Sequence, residues 1–314
     1  MIENLILLIL FLLLVVKSAE EAIKYSRIVA RKLNISYFIV SFFIVAVISA
    51  LPEGTISIIS AIQGVPKFGL GTLIGSNVAD LLLVFGLAGV ASGSNGVSLK
   101  SKILKKDFFY LSLLFFPVLS GLDGNYSRLD GVILICAGLS FFLSLYLQSR
   151  KFKKEIHHVK KTEFVKNLIL LIISLIVLIL SANYAIEFGV LFANSIQVPP
   201  ILISLTIVSV GTCLPELVFS IKAIKGRHDQ LALGDVLGTV LIDATILVGI
   251  MAIINPFSFD PLLIYVTGFA MFFAGVISTL FLNTDKSLSK KEGIILLVLY
   301  GVYLVIEIII NRIA

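Results

Sequence analysis

The sequence predicts an all-α polytopic membrane protein of ten transmembrane helices, arranged as two inverted five-helix repeats. Three observations predict it. Apolar residues make up 58% of the chain and charged residues 14%, with a mean hydropathy of +1.08. A soluble domain carries roughly a quarter charged residues. One stretch, Phe38 to Val90, recurs without a gap as Ile201 to Ile253. Finally, the basic residues favour alternate connections between the apolar runs. Runs such as Leu168 to Leu180 and Ile294 to Ile310 approach or reach the ~20 residues that cross a bilayer. They lack the polar–apolar alternation of a membrane barrel strand.

In chain order the expected spans lie near 2–31, 37–63, 68–92, 107–121, 126–147, 167–193, 199–225, 231–254, 261–282 and 292–310. Residues 1–147 form the first repeat, 148–166 a basic cytoplasmic linker, and 167–314 the second repeat. Lys17, Lys24, Arg27, Arg31 and Lys32 lie in or before the first connection, and Lys100, Lys102, Lys105 and Lys106 in the third. The fifth carries Arg150, Lys151, Lys153, Lys154, Lys160, Lys161 and Lys166. The seventh and ninth carry Lys222, Lys225, Arg227, Lys286, Lys290 and Lys291. Only Lys67, Arg128 and Arg312 fall on the other side. The positive-inside rule makes the odd connections cytoplasmic and puts both termini outside. The net charge of +6 is thus a topology signal, not a nucleic-acid one. Five spans is an odd number, so the second half enters the membrane the opposite way up. Such folds place their site near the bilayer midplane, at the repeat interface. The match reaches into the first span of each half, where Ser18-Ala19 recurs as Ser181-Ala182. Cys136 and Cys213 lie in apolar segments and read as small core residues. No signal-peptide cleavage pattern follows the first apolar run.

The repeated stretch carries the chemistry. Glu53 and Glu216 each sit mid-span, with apolar residues before them. A charge at the bilayer centre costs at least ~2.5–3.5 kcal/mol, so a cation, a proton or water must compensate. Pro52 and Pro215 precede the glutamates and free the carbonyl four residues back. Ser49, Thr212 and Ser209 add hydroxyls. Asp80 and Asp243 follow in the next span of each half. There, Gly71, Gly75 and Ser76, and Gly234, Gly238 and Thr239, form the small-xxx-small pattern of close helix packing. Asn77 adds an amide oxygen, which its partner Val240 lacks. An all-oxygen set suits a hard cation such as Ca²⁺. No His or Cys cluster suggests a softer metal. His157 and His158, in the basic linker, read as solvated. Asp235, matched by Thr72, reads as either a site or pathway acid or a solvated helix-end residue.

At these residues the chain resembles the cation/Ca²⁺ exchanger superfamily, and most closely the prokaryotic sodium/calcium exchangers. That family's repeats have the form G-T-S-x-P-E, then G-N-x-x-G-S-N-x-x-N/D. Here they read Ile48 to Glu53 with Gly71 to Asp80, and Gly211 to Glu216 with Gly234 to Asp243. The resemblance implies a secondary-active antiporter, not an enzyme, in a prokaryotic cell membrane. It would move Ca²⁺ in exchange for Na⁺ by alternating access, the first and sixth spans sliding over a rigid core. Glu53 and Glu216 would be central Ca²⁺ ligands, with Ser49 and Thr212 contributing oxygens and Asp80 and Asp243 completing the cluster. Ser76, Ser209 and Thr239 would serve sodium. Partners would be the transported cations and the lipid bilayer, with a monomer as the unit, no resident cofactor and no nucleic acid. Ala50 and Cys213 replace the family serine, and Asp80 and Asp235 add carboxylates, so an exchanger of Ca²⁺ or another divalent cation that is H⁺-coupled or K⁺-dependent is the alternative.

Two other classes compete. An intramembrane aspartyl protease needs a GxGD motif, but Ala232 stands at its first glycine and no Tyr-Asp pair occurs. A cation channel usually builds its filter by oligomerisation, whereas an inverted repeat within one chain points to alternating access.

Overall fold

The computed structural model describes residues 2–32, 45–93, 96–98, 107–149, 161–226, 229–284 and 287–313. His157, His158, residues 33–44 of the second expected span and its approach, and much of the basic linker lie outside them. In the first half the helices are α1 (Ile2–Lys32), α2 (Val45–Ser49), α3 (Leu51–Ile62), α4 (Pro66–Ala79), α5 (Phe85–Ala91), α6 (Asp107–Ser120) and α7 (Arg128–Ser149). The second half has α8 (Lys161–Ser195), α9 (Pro200–Ile203), α10 (Ser209–Thr212), α11 (Leu214–Lys225), α12 (Asp229–Leu241), α13 (Val248–Ile254), α14 (Pro261–Leu263), α15 (Phe269–Thr284) and α16 (Lys290–Ile313). Wider, π-type turns at Asp80–Val84, Ser204–Val208, Ile242–Leu247 and Ile264–Gly268 join α4 to α5, α9 to α10, α12 to α13 and α14 to α15. α8 begins at Lys161, so the end of the expected linker is helical.

Among the described residues six helical stretches are long and apolar enough to cross a membrane: Pro66–Ala91, Val165–Ser195, Pro200–Lys225, Ala232–Ile254, Ile264–Leu282 and Lys290–Ile310. The chain is a multi-pass helical membrane protein. Its surface shows it: Ile169, Ile172 and Ile176 of α8 are exposed, as lipid-facing residues are. Cys136 is also exposed, which corrects its reading as a core residue. In a bilayer the outer face is as apolar as the interior, so hydrophobicity does not distinguish the two.

Several helices of the two halves match at the offset of 163. α3 and α11 match at both ends, as do α5 and α13. The halves are also interlaced. Two-residue strands β1 (Val97–Ser98) and β4 (Ser287–Leu288) pair antiparallel, and so do β2 (Asn125–Tyr126) and β3 (Phe257–Ser258). Each pair takes one strand from each half. α5 packs on α16 and α13 on α7, again across the halves. Glycines permit both crossings. A Cβ on Gly293 would lie 2.7 Å from the Gly86 carbonyl oxygen, and one on Gly249 would lie 2.7 Å from that of Gly131. α7 and α16 start with matching capping boxes. Ser127 Oγ donates to Asp130 Oδ2 at 2.6 Å, and Ser289 Oγ to Glu292 Oε2 at 2.6 Å.

Two apolar cores result. The larger is built on α4, α5, α12 and α13, with Leu70, Val78, Val236 and Val240 fully buried. The smaller joins α1 to α8 through Leu8, Leu12, Val15, Ala182, Ala185 and Ile186, with Ile56 and Phe68 against it. Ser18 and Ser181, the matched pair noted in the sequence, are both buried.

Candidate cation site

The glutamates sit where two helices break. Proline cannot donate a backbone hydrogen bond, and the helical run bends at the residue before each Leu-Pro-Glu. Ala50 stands between α2 and α3 with φ −69° and ψ 2°. Cys213 stands between α10 and α11 with φ −74° and ψ −4°. Glu53 and Glu216 therefore lie in the first turn of α3 and α11, at the positive end of each helix dipole. The aspartates sit at the wider turns: Asp80 opens the one between α4 and α5, and Asp243 is the second residue of the one between α12 and α13. Such turns leave backbone carbonyls free of the regular helical pattern. A hydroxyl accompanies each: Ser278 Oγ donates to the Leu81 carbonyl at 2.9 Å, and Thr245 Oγ1 to that of Leu241 at 2.6 Å.

All four acids are buried, none more than 1% exposed. They lie within electrostatic reach of one another. Glu53 faces the charges of Asp243, Glu216 and Asp80, and Glu216 those of Asp80, Asp235 and Asp243. Among the described residues, both carboxylate oxygens of Glu216 lack a hydrogen-bond partner, as do Glu53 Oε2, Asp243 Oδ1 and Asn77 Oδ1, and the Asp80 carboxylate has only the weak thiol donor of Cys213 beside it. Buried polar groups are normally satisfied, and each exception costs about 1–3 kcal/mol or more when charged. Side chains left this way in one region have lone pairs open to a further partner.

The remaining candidates are all buried and differ in their partners. Ser76 Oγ donates to Asp243 Oδ2 at 3.3 Å and to the Leu73 carbonyl at 2.9 Å. Ser209 Oγ and Thr212 Oγ1 donate to carbonyls of their own helical run, Leu205 and Ser209, at 2.6 and 3.0 Å. Thr239 Oγ1 reaches the Ala46 carbonyl at 3.5 Å, across the halves. Asn77 Nδ2 contacts Met271 Sδ at 3.4 Å, which leaves its oxygen for another partner. Ser49 Oγ donates to Asp235 Oδ1 at 2.7 Å. Asp235 is 2% exposed, so the solvated helix-end alternative is excluded.

The glycine motifs bring the halves together. A Cβ on Gly75 would lie 2.7 Å from the Leu205 carbonyl oxygen, and one on Gly238 would lie 2.7 Å from Ala46 Cβ. Each aspartate-bearing span thus packs on the glutamate-bearing span of the other half, besides its own neighbour. The four acids do not form a cage made only of carboxylates. Among the described residues no three His, Cys, Asp or Glu side chains stand close enough to hold a metal ion. Hydroxyl and carbonyl oxygens have to complete any coordination shell.

The family model for the sodium/calcium exchanger protein matches residues 3–149 and 166–309. The chain belongs to that family. The sodium/calcium exchanger MaX1 of Methanosarcina acetivorans is 24% identical, with 96% of this chain and 98% of that protein covered. Inner membrane protein YrbG of Escherichia coli is 26% identical over 82% of this chain and 81% of its own length. Solved structures of the sodium-calcium exchanger NCX_Mj share the fold. One is 24% identical with a TM-score of 0.68, covering 96% of this chain and 97% of the other. In this member of the exchanger family the wider turns, Ser278, Thr245 and the Ser49–Asp235 bond had left no trace in the sequence. Asp235 alone carried a signal, as a carboxylate whose repeat partner is a threonine.

Proposed function

We propose that this exchanger is a secondary-active antiporter that moves Ca²⁺ across the membrane in exchange for Na⁺ by alternating access. The observation that carries the reading is the set of four buried carboxylates, two from each half, with oxygens that no protein donor among the described residues satisfies. Glu53 and Glu216 are the central Ca²⁺ ligands in this reading, joined by Asp80, Asp243 and the oxygens of Ser49 and Thr212. Ser76, Ser209, Thr239 and Asn77 supply neutral oxygens for the coupling ion. Hard oxygen ligands in flexible geometry, about 6–8 of them, are what Ca²⁺ takes. The family membership and the names of its relatives support sodium as the counter-ion. Ten spans in two inverted repeats, both termini outside, complete the reading.

The test is Ca²⁺ uptake into proteoliposomes loaded with Na⁺, K⁺ or a proton gradient. An outward Na⁺ gradient is expected to drive uptake, and Glu53→Gln or Glu216→Gln to abolish it. Uptake that follows the proton gradient instead would refute sodium coupling. Uptake driven by none of the gradients would refute coupled exchange altogether.

A further inference from the structure

We infer that Asp235 is a fifth acid of the ion site and sets its preference for divalent over monovalent cations. The inference rests on the proposed Ca²⁺ site and adds a residue that breaks the symmetry of the two halves.

Three observations carry it. First, Asp235 is buried and held toward the other half, its Oδ1 accepting the Ser49 hydroxyl at 2.7 Å. Four residues on, Thr239 Oγ1 reaches the Ala46 carbonyl at 3.5 Å, so one face of α12 meets α2 at two polar contacts. Gly238 between them allows the approach, since a Cβ there would lie 2.7 Å from Ala46 Cβ. Second, Asp235 acts on the centre of the site. Its charge is felt by both Asp80 and Glu216. Both side chains are buried to within 1%; among the described residues the Glu216 carboxylate has no hydrogen-bond partner and the Asp80 carboxylate only the weak thiol donor of Cys213. Third, the matched position in the first half is neutral. Thr72 Oγ1 donates to the Phe68 carbonyl of its own helix at 3.0 Å and contributes no charge. Ser49 thus donates to a carboxylate, whereas its counterpart Thr212 donates to a backbone carbonyl at 3.0 Å.

The consequence for selectivity follows from Coulomb's law. The attraction of one extra carboxylate for a cation scales with the cation's charge. Removing that charge therefore costs a divalent ion twice the free energy it costs a monovalent one. In binding constants, a loss of about threefold for Na⁺ corresponds to a loss of about tenfold for Ca²⁺. Asparagine at position 235 keeps an oxygen for Ser49 and removes only the charge.

The experiment measures Ca²⁺ binding to the purified full chain by titration calorimetry, and Na⁺ binding by competition against it. Asp235→Asn is expected to weaken Ca²⁺ about tenfold and Na⁺ about threefold. Asp235→Glu, which keeps the charge, is expected to restore the wild-type ratio of the two affinities. If Asp235→Asn does not fold, Asp235→Thr, the residue of the first half, replaces it with the same expectation. Equal losses for the two ions, or a Ca²⁺ affinity within about twofold of wild type, would overturn the inference and leave the Ca²⁺ site standing. A changed pH dependence with unchanged Na⁺ and Ca²⁺ affinities would also overturn it. A wild-type chain that binds no Ca²⁺ would overturn both readings.

Discussion

Glu53 and Glu216 are held at helix breaks, and among the described residues no lysine or arginine pairs with either carboxylate. A buried acid in that position weakens the fold that contains it. An unmatched buried charge costs several kcal/mol, and neutralising it removes that cost. Glu53→Gln is therefore expected to melt at or above the wild-type temperature in the absence of Ca²⁺. The wild type is expected to gain stability from Ca²⁺, by about 2.7 kcal/mol at roughly a hundred times the dissociation constant. The variant should lose that gain. Thermal melts in detergent, with and without Ca²⁺, check both signs at once. A variant that melts lower and still responds to Ca²⁺ would show a structural role instead. These glutamates were legible in the sequence because a charge after proline inside an apolar run has few explanations, and the second copy removed most of those. The partner of Ser49 was not legible. It lies 186 residues away, and only the packing of α2 on α12 brings it there.

At the scale of elements, tight crossings decide what the helices tolerate. Alanine at Gly75 places a Cβ 2.7 Å from the Leu205 carbonyl oxygen and 2.9 Å from its Cα, both backbone atoms that cannot rotate away. A loss of about 1–3 kcal/mol is expected, as for overpacking elsewhere. Gly301, on the exposed face of α16, has open space where a Cβ would project, with nothing within 4 Å. Gly301→Ala should stabilise by up to about 1 kcal/mol through helix propensity alone. Apparent melting temperatures of the two variants should therefore move in opposite directions. The sequence pattern exposed Gly75 and Gly238 through their shared spacing. It concealed the crossings at Gly86 and Gly249, because their partners Gly293 and Gly131 stand one residue out of the repeat register. It also concealed the wider turns at Asp80 and Asp243. A π-type turn needs no special residue, only one more residue than a regular turn would hold. The strands were hidden for another reason: two residues are too short to show alternation.

At the scale of the molecule, composition and basic-residue distribution made the class plain, while the interlacing of the halves came only with the structure. β1 pairs with β4 and β2 with β3, so each half lends a strand to a ribbon at two separate places. In the proposed topology these ribbons lie on opposite faces of the membrane. They act as clasps at the two ends of a single chassis. Ribbons at both ends join the halves, in keeping with the sliding of the first and sixth spans that the resemblance implies. Among the described residues α1 and α8 contribute to neither ribbon, and they are seated on the chassis through the smaller apolar core. That seat is mostly apolar, with Gln63 Nε2 just past α3 donating to Asn183 Oδ1 of α8 at 2.8 Å, and Gly211 offers Leu12 a nearly flat neighbour, its Cβ position 3.3 Å from a Leu12 methyl. Cysteines at Ser98 and Ser287, which are directly paired, should form a disulfide that leaves transport intact. A cross-link that ties α1 to α3 should stop it. Transport lost with the first bond and kept with the second would assign the motion to the halves themselves.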